Sequence, residues 1–178
     1  MRYHDRFLAV SRHGAIVALM LVIAAPAHAD TSFLIGAGPD IGLFDVGDGH
    51  KDPGLHARAM LHLGQGEGRM SFRLDGAYVR FWADGEQNED YDAIAFFANL
   101  VLRLGSASGS YPYWTLGAGY DRYWETDIPE LQNETGGVIF GTGFGLHLGW
   151  GNIEARFDLA GANEDLAAHV PIFVALRF

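Results

Sequence analysis

Cysteine is absent from this 178-residue chain, and lysine occurs once, at Lys51. Without cysteine there is no disulfide framework, no thiol nucleophile and no cysteine-ligated zinc, and the redox compartment is left open. Basic groups are scarce overall, 12 against 22 acidic ones for a net charge of −10, and they form no cluster. Nucleic acid is therefore excluded as a partner, because that affinity rests on Lys and Arg neutralising phosphates. Long apolar runs are missing as well: none reaches the roughly 18 to 20 residues a helix needs to cross a bilayer. What the chain has in plenty is glycine, 24 residues, together with 13% aromatic and 49% hydrophobic residues. With no triplet period and that aromatic content it is neither collagen-like nor disordered, and its length suits one domain.

The N-terminal segment has the three parts of an export signal. Arg2, Arg6 and Arg12 make a basic start, Ala15 to Ala25 is an eleven-residue apolar run, and Pro26-Ala27-His28-Ala29 ends in the small-x-small pattern cut by signal peptidase. Cleavage is expected after Ala29, giving residues 1–29 as the signal peptide and 30–178 as a single domain. Removing three arginines and Asp5 leaves 9 basic against 21 acidic groups in those 149 residues, a net −12.

From there on, apolar residues recur with period 2, segment after segment, between clusters of Gly, Asp, Asn and Ser. That is the strand signal. In 152–161, Ile153, Ala155, Phe157 and Leu159 oppose Asn152, Glu154, Arg156 and Asp158. The same pattern predicts strands over 55–63, 72–82, 94–104, 113–124, 138–150 and 170–178, and a first one over about 32–38 that can run on beyond Pro39. Eight strands result. Their connections alternate: 65–69, 105–110 and 149–151 are short and nearly uncharged, whereas 39–53, 83–92, 125–135 and 162–166 are longer or acidic. The second set holds fifteen acids against Lys51, a net −14 at one end. An even number of antiparallel strands with short turns at one end and long loops at the other is the build of a transmembrane barrel.

A soluble calyx with its apolar face inside has the same period, so the choice of face needs further observations. The non-apolar face carries glycine, histidine and paired Arg, Asp and Glu in place of lysine, which suits a narrow lumen better than a surface in water. Aromatics gather at the strand ends, with Trp82, Tyr91, Tyr123 and Trp124 near the acidic loops and Phe72, Tyr111, Tyr113, Trp150 and Phe178 near the short turns, as two interfacial girdles would. The inward set then contains a charge network of Arg58, Arg73, Asp75, Arg103, Asp121, Glu154, Arg156, Asp158 and Arg177. Glycines on the inward face of the fifth and sixth strands have two readings, a gap for water or a small solute or room for large side chains such as Arg58, Arg73, Arg103, Phe97 and Tyr113, and packing is the favoured one because eight strands leave a narrow lumen.

Ile35-Gly36-Ala37-Gly38, the run from Tyr111 to Gly119, Gly141-Thr142-Gly143-Phe144-Gly145 and the terminal Val174-Ala175-Leu176-Arg177-Phe178 carry a resemblance. With the cleaved signal, the whole exported chain resembles the small eight-stranded outer-membrane β-barrel domain family (OmpA/OmpX-type) of Gram-negative bacteria. The resemblance implies an all-β, up-and-down transmembrane barrel in the bacterial outer membrane, with Val174, Leu176 and Phe178 as the assembly signal read by the barrel-assembly machinery. It says little about activity, since the family is defined by architecture. A monomer in contact with outer-membrane lipid and lipopolysaccharide is expected, with a structural or surface-interaction role. A narrow pore for small solutes is the alternative, and a lipid-modifying enzyme a more distant one.

Candidate chemistry is thin. Lipid hydrolases of this size and fold resemble one another in a Ser/His/acid set near the last strands, where this chain has His169, Glu154 and Asp158 but no serine. Ser32, Ser71, Ser106, Ser108 and Ser110 are all expected at the short-turn end, so no acyl-transfer triad is expected, leaving at most a water-activating pair such as His169 with Asp158. His56 and His62 are six residues apart on one strand, about 20 Å, too far to chelate one metal. The stretch 45–52 lacks the calcium-loop spacing and reads as a solvated acidic loop. No metal or cofactor is expected. Loop acids such as Asp84, Glu86, Glu89 and Asp90 are expected at most to bridge lipopolysaccharide diffusely through divalent cations, with no formed site.

Overall fold

The computed structural model describes residues 31–45, 53–64, 68–82, 91–106, 109–125, 135–162 and 165–178. The expected signal peptide, most of the acidic loops and the candidate calcium stretch after Asp45 lie outside them. Eight strands follow in chain order: β1 Thr31–Asp45, β2 Pro53–Leu63, β3 Met70–Phe81, β4 Tyr91–Arg103, β5 Tyr111–Glu125, β6 Thr135–His147, β7 Gly151–Ala162 and β8 Asp165–Arg177. Each pairs antiparallel with its neighbour, and β8 returns to β1, so the sheet closes with no free edge.

The strands run further than their alternation alone suggests. β1 continues through Pro39 to Asp45, seven residues past Gly38. Its ladder with β8 omits Gly38 and Pro39 and shifts register between Gly42 and Phe44. Proline has no N–H for the ladder, so an interruption of this kind lets it sit inside a strand. Asp40, expected in an acidic loop, is thereby on β1 with its side chain buried in the lumen. At the opposite end, the three short turns each hold one glycine in the left-handed region, Gly64, Gly109 and Gly149, with φ of 79°, 77° and 74°. Side chains with a Cβ are strained there, which fixes the punctuation of these hairpins.

Inside and outside are reversed relative to a protein in water. Phe96 and Phe140 are 62% and 58% exposed on the exterior, while Arg73 and Asp158 are fully enclosed. Every strand contributes to this, because the pleat sends alternate side chains to opposite faces. Apolar packing inside is confined to small clusters, such as Leu34, Met60, Phe173 and Ala175 on β1, β2 and β8. Phe72, Trp82, Trp150 and Phe178 are exposed at the strand ends, as a girdle requires. Tyr113 is a correction to that girdle: it is 2% exposed and points inward, because it shares parity with Thr115 and Gly117 on β5. The side chains of Tyr91, Tyr123 and Trp124 lie outside the described set.

Candidate functional site: the lumen

Three arginines and three carboxylates meet across the middle of the barrel. β3 supplies Arg73 and Asp75, two residues apart and therefore on one face, and Arg73 clasps its neighbour through Nε to Oδ1 at 2.8 Å and Nη2 to Oδ2 at 3.0 Å. Across the lumen, Glu154 of β7 receives Arg73 Nη1 at 2.5 Å and Nη2 at 2.9 Å, a bidentate pair. Tyr113 donates its hydroxyl to Glu154 Oε2 at 2.7 Å, and Thr115 donates to Oε1 at 3.2 Å. Arg58 of β2 joins Asp75 at 3.2 Å to Asp158 at 3.5 Å. Arg156 closes the circuit on Asp158 Oδ1 at 3.1 Å and Asn99 Oδ1 at 2.9 Å. Phe97 and Phe173 lie against the guanidinium faces, with Arg58 5.2 and 5.0 Å from the two ring centres and Arg156 4.8 Å from that of Phe97. None of the six charged groups is more than 3% exposed. Three positive and three negative charges cancel, as buried charge requires, and the circuit fills the cross-section.

The glycines of β6 make that filling possible. A Cβ on Gly141 would collide with Asp158 Oδ1 and Arg156 Nη2, and one on Gly145 with the Tyr113 ring. On Gly143 it would lie 2.7 Å from both Arg156 Cγ and Thr115 Oγ1. Gly143→Ala should therefore destabilise the barrel by about 1–3 kcal/mol in urea unfolding, the cost of overpacking a filled interior. Gly76→Ala is the control, because its Cβ would meet only the Phe96 ring, at 3.6 Å. Equal effects at both positions would contradict this account.

Comparison with solved structures finds the same closed arrangement elsewhere. Neisserial surface protein A superposes with a TM-score of 0.61 at 14% identity, over 84% of this chain and 99% of that one. Ail, the attachment invasion locus protein of Yersinia pestis, gives 0.57 at 15% identity, over 83% and 97%. The architecture is that of the small eight-stranded outer-membrane barrels. The outer membrane enzyme PagL shares this barrel at a TM-score of 0.50 and 12% identity, over 83% of this chain and 99% of PagL. No protein-family model matches the chain, and no curated protein matches it in sequence.

Within this barrel, three of the nine residues expected in the charge network stand apart from the central circuit. Arg103 lies at the short-turn end, its guanidinium 5.5 Å from the centre of the Tyr111 ring. Asp121 is buried nearer the long-loop end and accepts the Gly137 N–H at 3.1 Å. Arg177 shares the inward parity but is exposed, being the last residue of β8. Parity assigns a face, whereas membership of the circuit also requires depth. Asn99, Tyr113 and Thr115 are functional members of the circuit that a search for charge alone passes over. The terminal Val174, Leu176 and Phe178 are all exposed on the exterior, and the Phe178 N–H donates to Phe33 O at 2.8 Å.

Two histidine arrangements differ from expectation. His169 sits opposite Asp158 in register, yet its Nδ1 lies 2.8 Å from Asp40 Oδ1, because the longer β1 carries that carboxylate into the lumen. His56 Nδ1 is 3.9 Å from the other Asp40 oxygen. At the short-turn end, His62 Nε2 is 2.7 Å from Ser71 Oγ, a distance that suits a base and a nucleophile. The β2–β3 hairpin brings these two together at the short-turn end, a contact the sequence analysis did not anticipate. The crevice beside them, lined in part by Tyr113 and His147, has a volume of about 10 Å³. That holds about one water molecule and no ester. Among the described residues, no group of three His, Asp or Glu side chains is placed to hold a metal.

Proposed function

We propose that the protein is an outer-membrane barrel with a sealed lumen, structural or surface-interactive in role and not catalytic. The observation that carries this reading is the circuit joining Arg58, Arg73, Asp75, Glu154, Arg156 and Asp158, which occupies the section through which a solute would pass. Placement in the outer membrane is supported by the apolar exterior, which in water would be an aggregation surface, and by the shared barrel architecture. Outer-membrane lipid surrounds the exterior, lipopolysaccharide adjoins the long-loop end, and the barrel-assembly machinery reads the terminal Val174, Leu176 and Phe178. The fold itself selects no activity, since Ail and the enzyme PagL share it.

Planar-bilayer recording tests the sealed lumen. The purified barrel should add no discrete conductance steps, and reproducible single-channel steps would favour the narrow pore instead. Reaction of Ser71 with a fluorophosphonate probe would overturn the non-catalytic part, because it requires an activated hydroxyl that small reagents can reach.

A further inference from the structure

Six of the eight ladders run without a break, and the two that do not are both on β8. Against β1 the pairs Gly38 with Phe173 and Pro39 with Ile172 are missing, and against β7 the pairs Arg156 with Pro171 and Phe157 with Val170. Four consecutive residues, Val170 to Phe173, are therefore in register with one neighbour only. A proline stands on each side of the β1–β8 break, Pro39 and Pro171, and neither brings an N–H to a ladder. The strands nevertheless stay close, since a Cβ on Gly38 would collide with Ile172 O.

A side-chain contact spans this weakened seam. Asp40 stands opposite Pro171, and His169, two residues along β8, places Nδ1 2.8 Å from Asp40 Oδ1. The bond ties β1 to β8 directly beside the missing pairs. The second carboxylate oxygen has no hydrogen bond, and His56 of β2 lies 3.9 Å from it with neither ring nitrogen bonded. Phe81 of β3 meets the His169 ring edge-on at 5.9 Å, and Phe173 meets the His56 ring in the same way at 5.4 Å. Among the described residues, the charged groups acting on the two imidazoles are Asp40 of β1, Arg58 of β2 and Asp158 of β7. Asp158 is already engaged by Arg58 and Arg156, so Asp40 is the carboxylate that answers both histidines. The side chain of His169 is 12% exposed while that of Asp40 is fully enclosed, and solvent protons therefore reach the pair through the histidine.

We propose that the Asp40–His169 bond is an acid-sensitive latch, which holds the long-loop half of β8 to β1 where the backbone does not and lets it open on acidification. Near neutral pH an ionised Asp40 accepts from His169. As the pH falls through the ordinary imidazole and carboxylate ranges, about 6.5 and 3.9, both histidines gain charge and Asp40 loses its own. Two imidazolium groups then stand beside Arg58 with Asp158 already committed, and enclosed charge of one sign is costly. The wall yields at the strand with the fewest paired residues, while β3 to β6, whose ladders are unbroken, stay closed.

Amide hydrogen exchange of the folded barrel in detergent micelles tests this, read residue by residue by NMR at about pH 7.5 and about pH 3.5 to bracket both titrations. Protection factors remove the intrinsic pH dependence of exchange. Ile41, Gly42, His169 and Val170 should lose at least about tenfold in protection on acidification, the worth of one charge-assisted hydrogen bond, while Ala98 of β4 and Leu116 of β5 keep theirs. Asp40→Asn, which retains the shape and removes the charge, should show that lowered protection at the seam already at neutral pH, and His169→Gln should do the same. Heat-shifted gel mobility checks that each variant is folded, and the regional comparison within the wild type stands without them. No loss at the seam on acidification, or an equal loss across all strands, would overturn the latch. So would wild-type protection at the seam in either folded variant at neutral pH.

Discussion

Replacing Glu154 by leucine should lower the unfolding free energy of the barrel by about 3–5 kcal/mol, the cost of leaving a buried charge without its partner. Glu154 is the acceptor on which the circuit converges: Arg73 reaches it with both Nη atoms, Tyr113 and Thr115 donate to it, and Arg156 Nη1 lies 3.5 Å away. Removing it strands net positive charge where side-chain exposure is zero. Water cannot relieve that charge unless the barrel opens. Arg73→Leu combined with Glu154→Leu tests the cause, because two arginines and two acids then remain. The double variant should be less destabilised than the sum of the single ones, as expected for groups in direct contact. Urea unfolding followed by tryptophan fluorescence gives all three values. An effect below about 1 kcal/mol for Glu154→Leu, or strict additivity in the double variant, would mean that the circuit does not hold the barrel together.

The eight strands were legible in the sequence because period 2 persists over lengths that no helix would tolerate, and because the turns between them are marked by glycine. The boundaries were less so. Asp40 follows a proline and carries a charge, two marks of a loop, yet it lies on β1 because the interrupted β1–β8 ladder accommodates Pro39. Alternation assigns each charge a face without telling which charges meet. Arg73 and Glu154 are 81 residues apart and touch only because β3 and β7 face each other across the closed sheet at one depth. Arg177 and Arg103 have the same parity and end at the short-turn side. A hairpin is different: His62 and Ser71 flank one short turn, so their contact was deducible from local pairing alone.

The apolar exterior makes a prediction whose sign distinguishes membrane from water. Phe140 lies near the middle of β6 and is 58% exposed. In lipid vesicles, Phe140→Arg should cost about 2–4 kcal/mol relative to Phe140→Leu, which subtracts the lost ring packing. The cost arises because the guanidinium must displace hydrocarbon or drag water inward, and it should fade with depth. Val138→Arg, nearer the long-loop end of the same face, should therefore cost less, approaching about 0–1 kcal/mol toward the interface. Arg80 and Arg122 already lie near the long-loop ends of β3 and β5, which fits that gradient. Were the barrel a soluble calyx, Phe140→Arg would improve solubility at little cost to stability, and the two sites would not differ by depth. Equal values at positions 138 and 140 would remove the apolar belt from the membrane, and with it the reason for its chemistry.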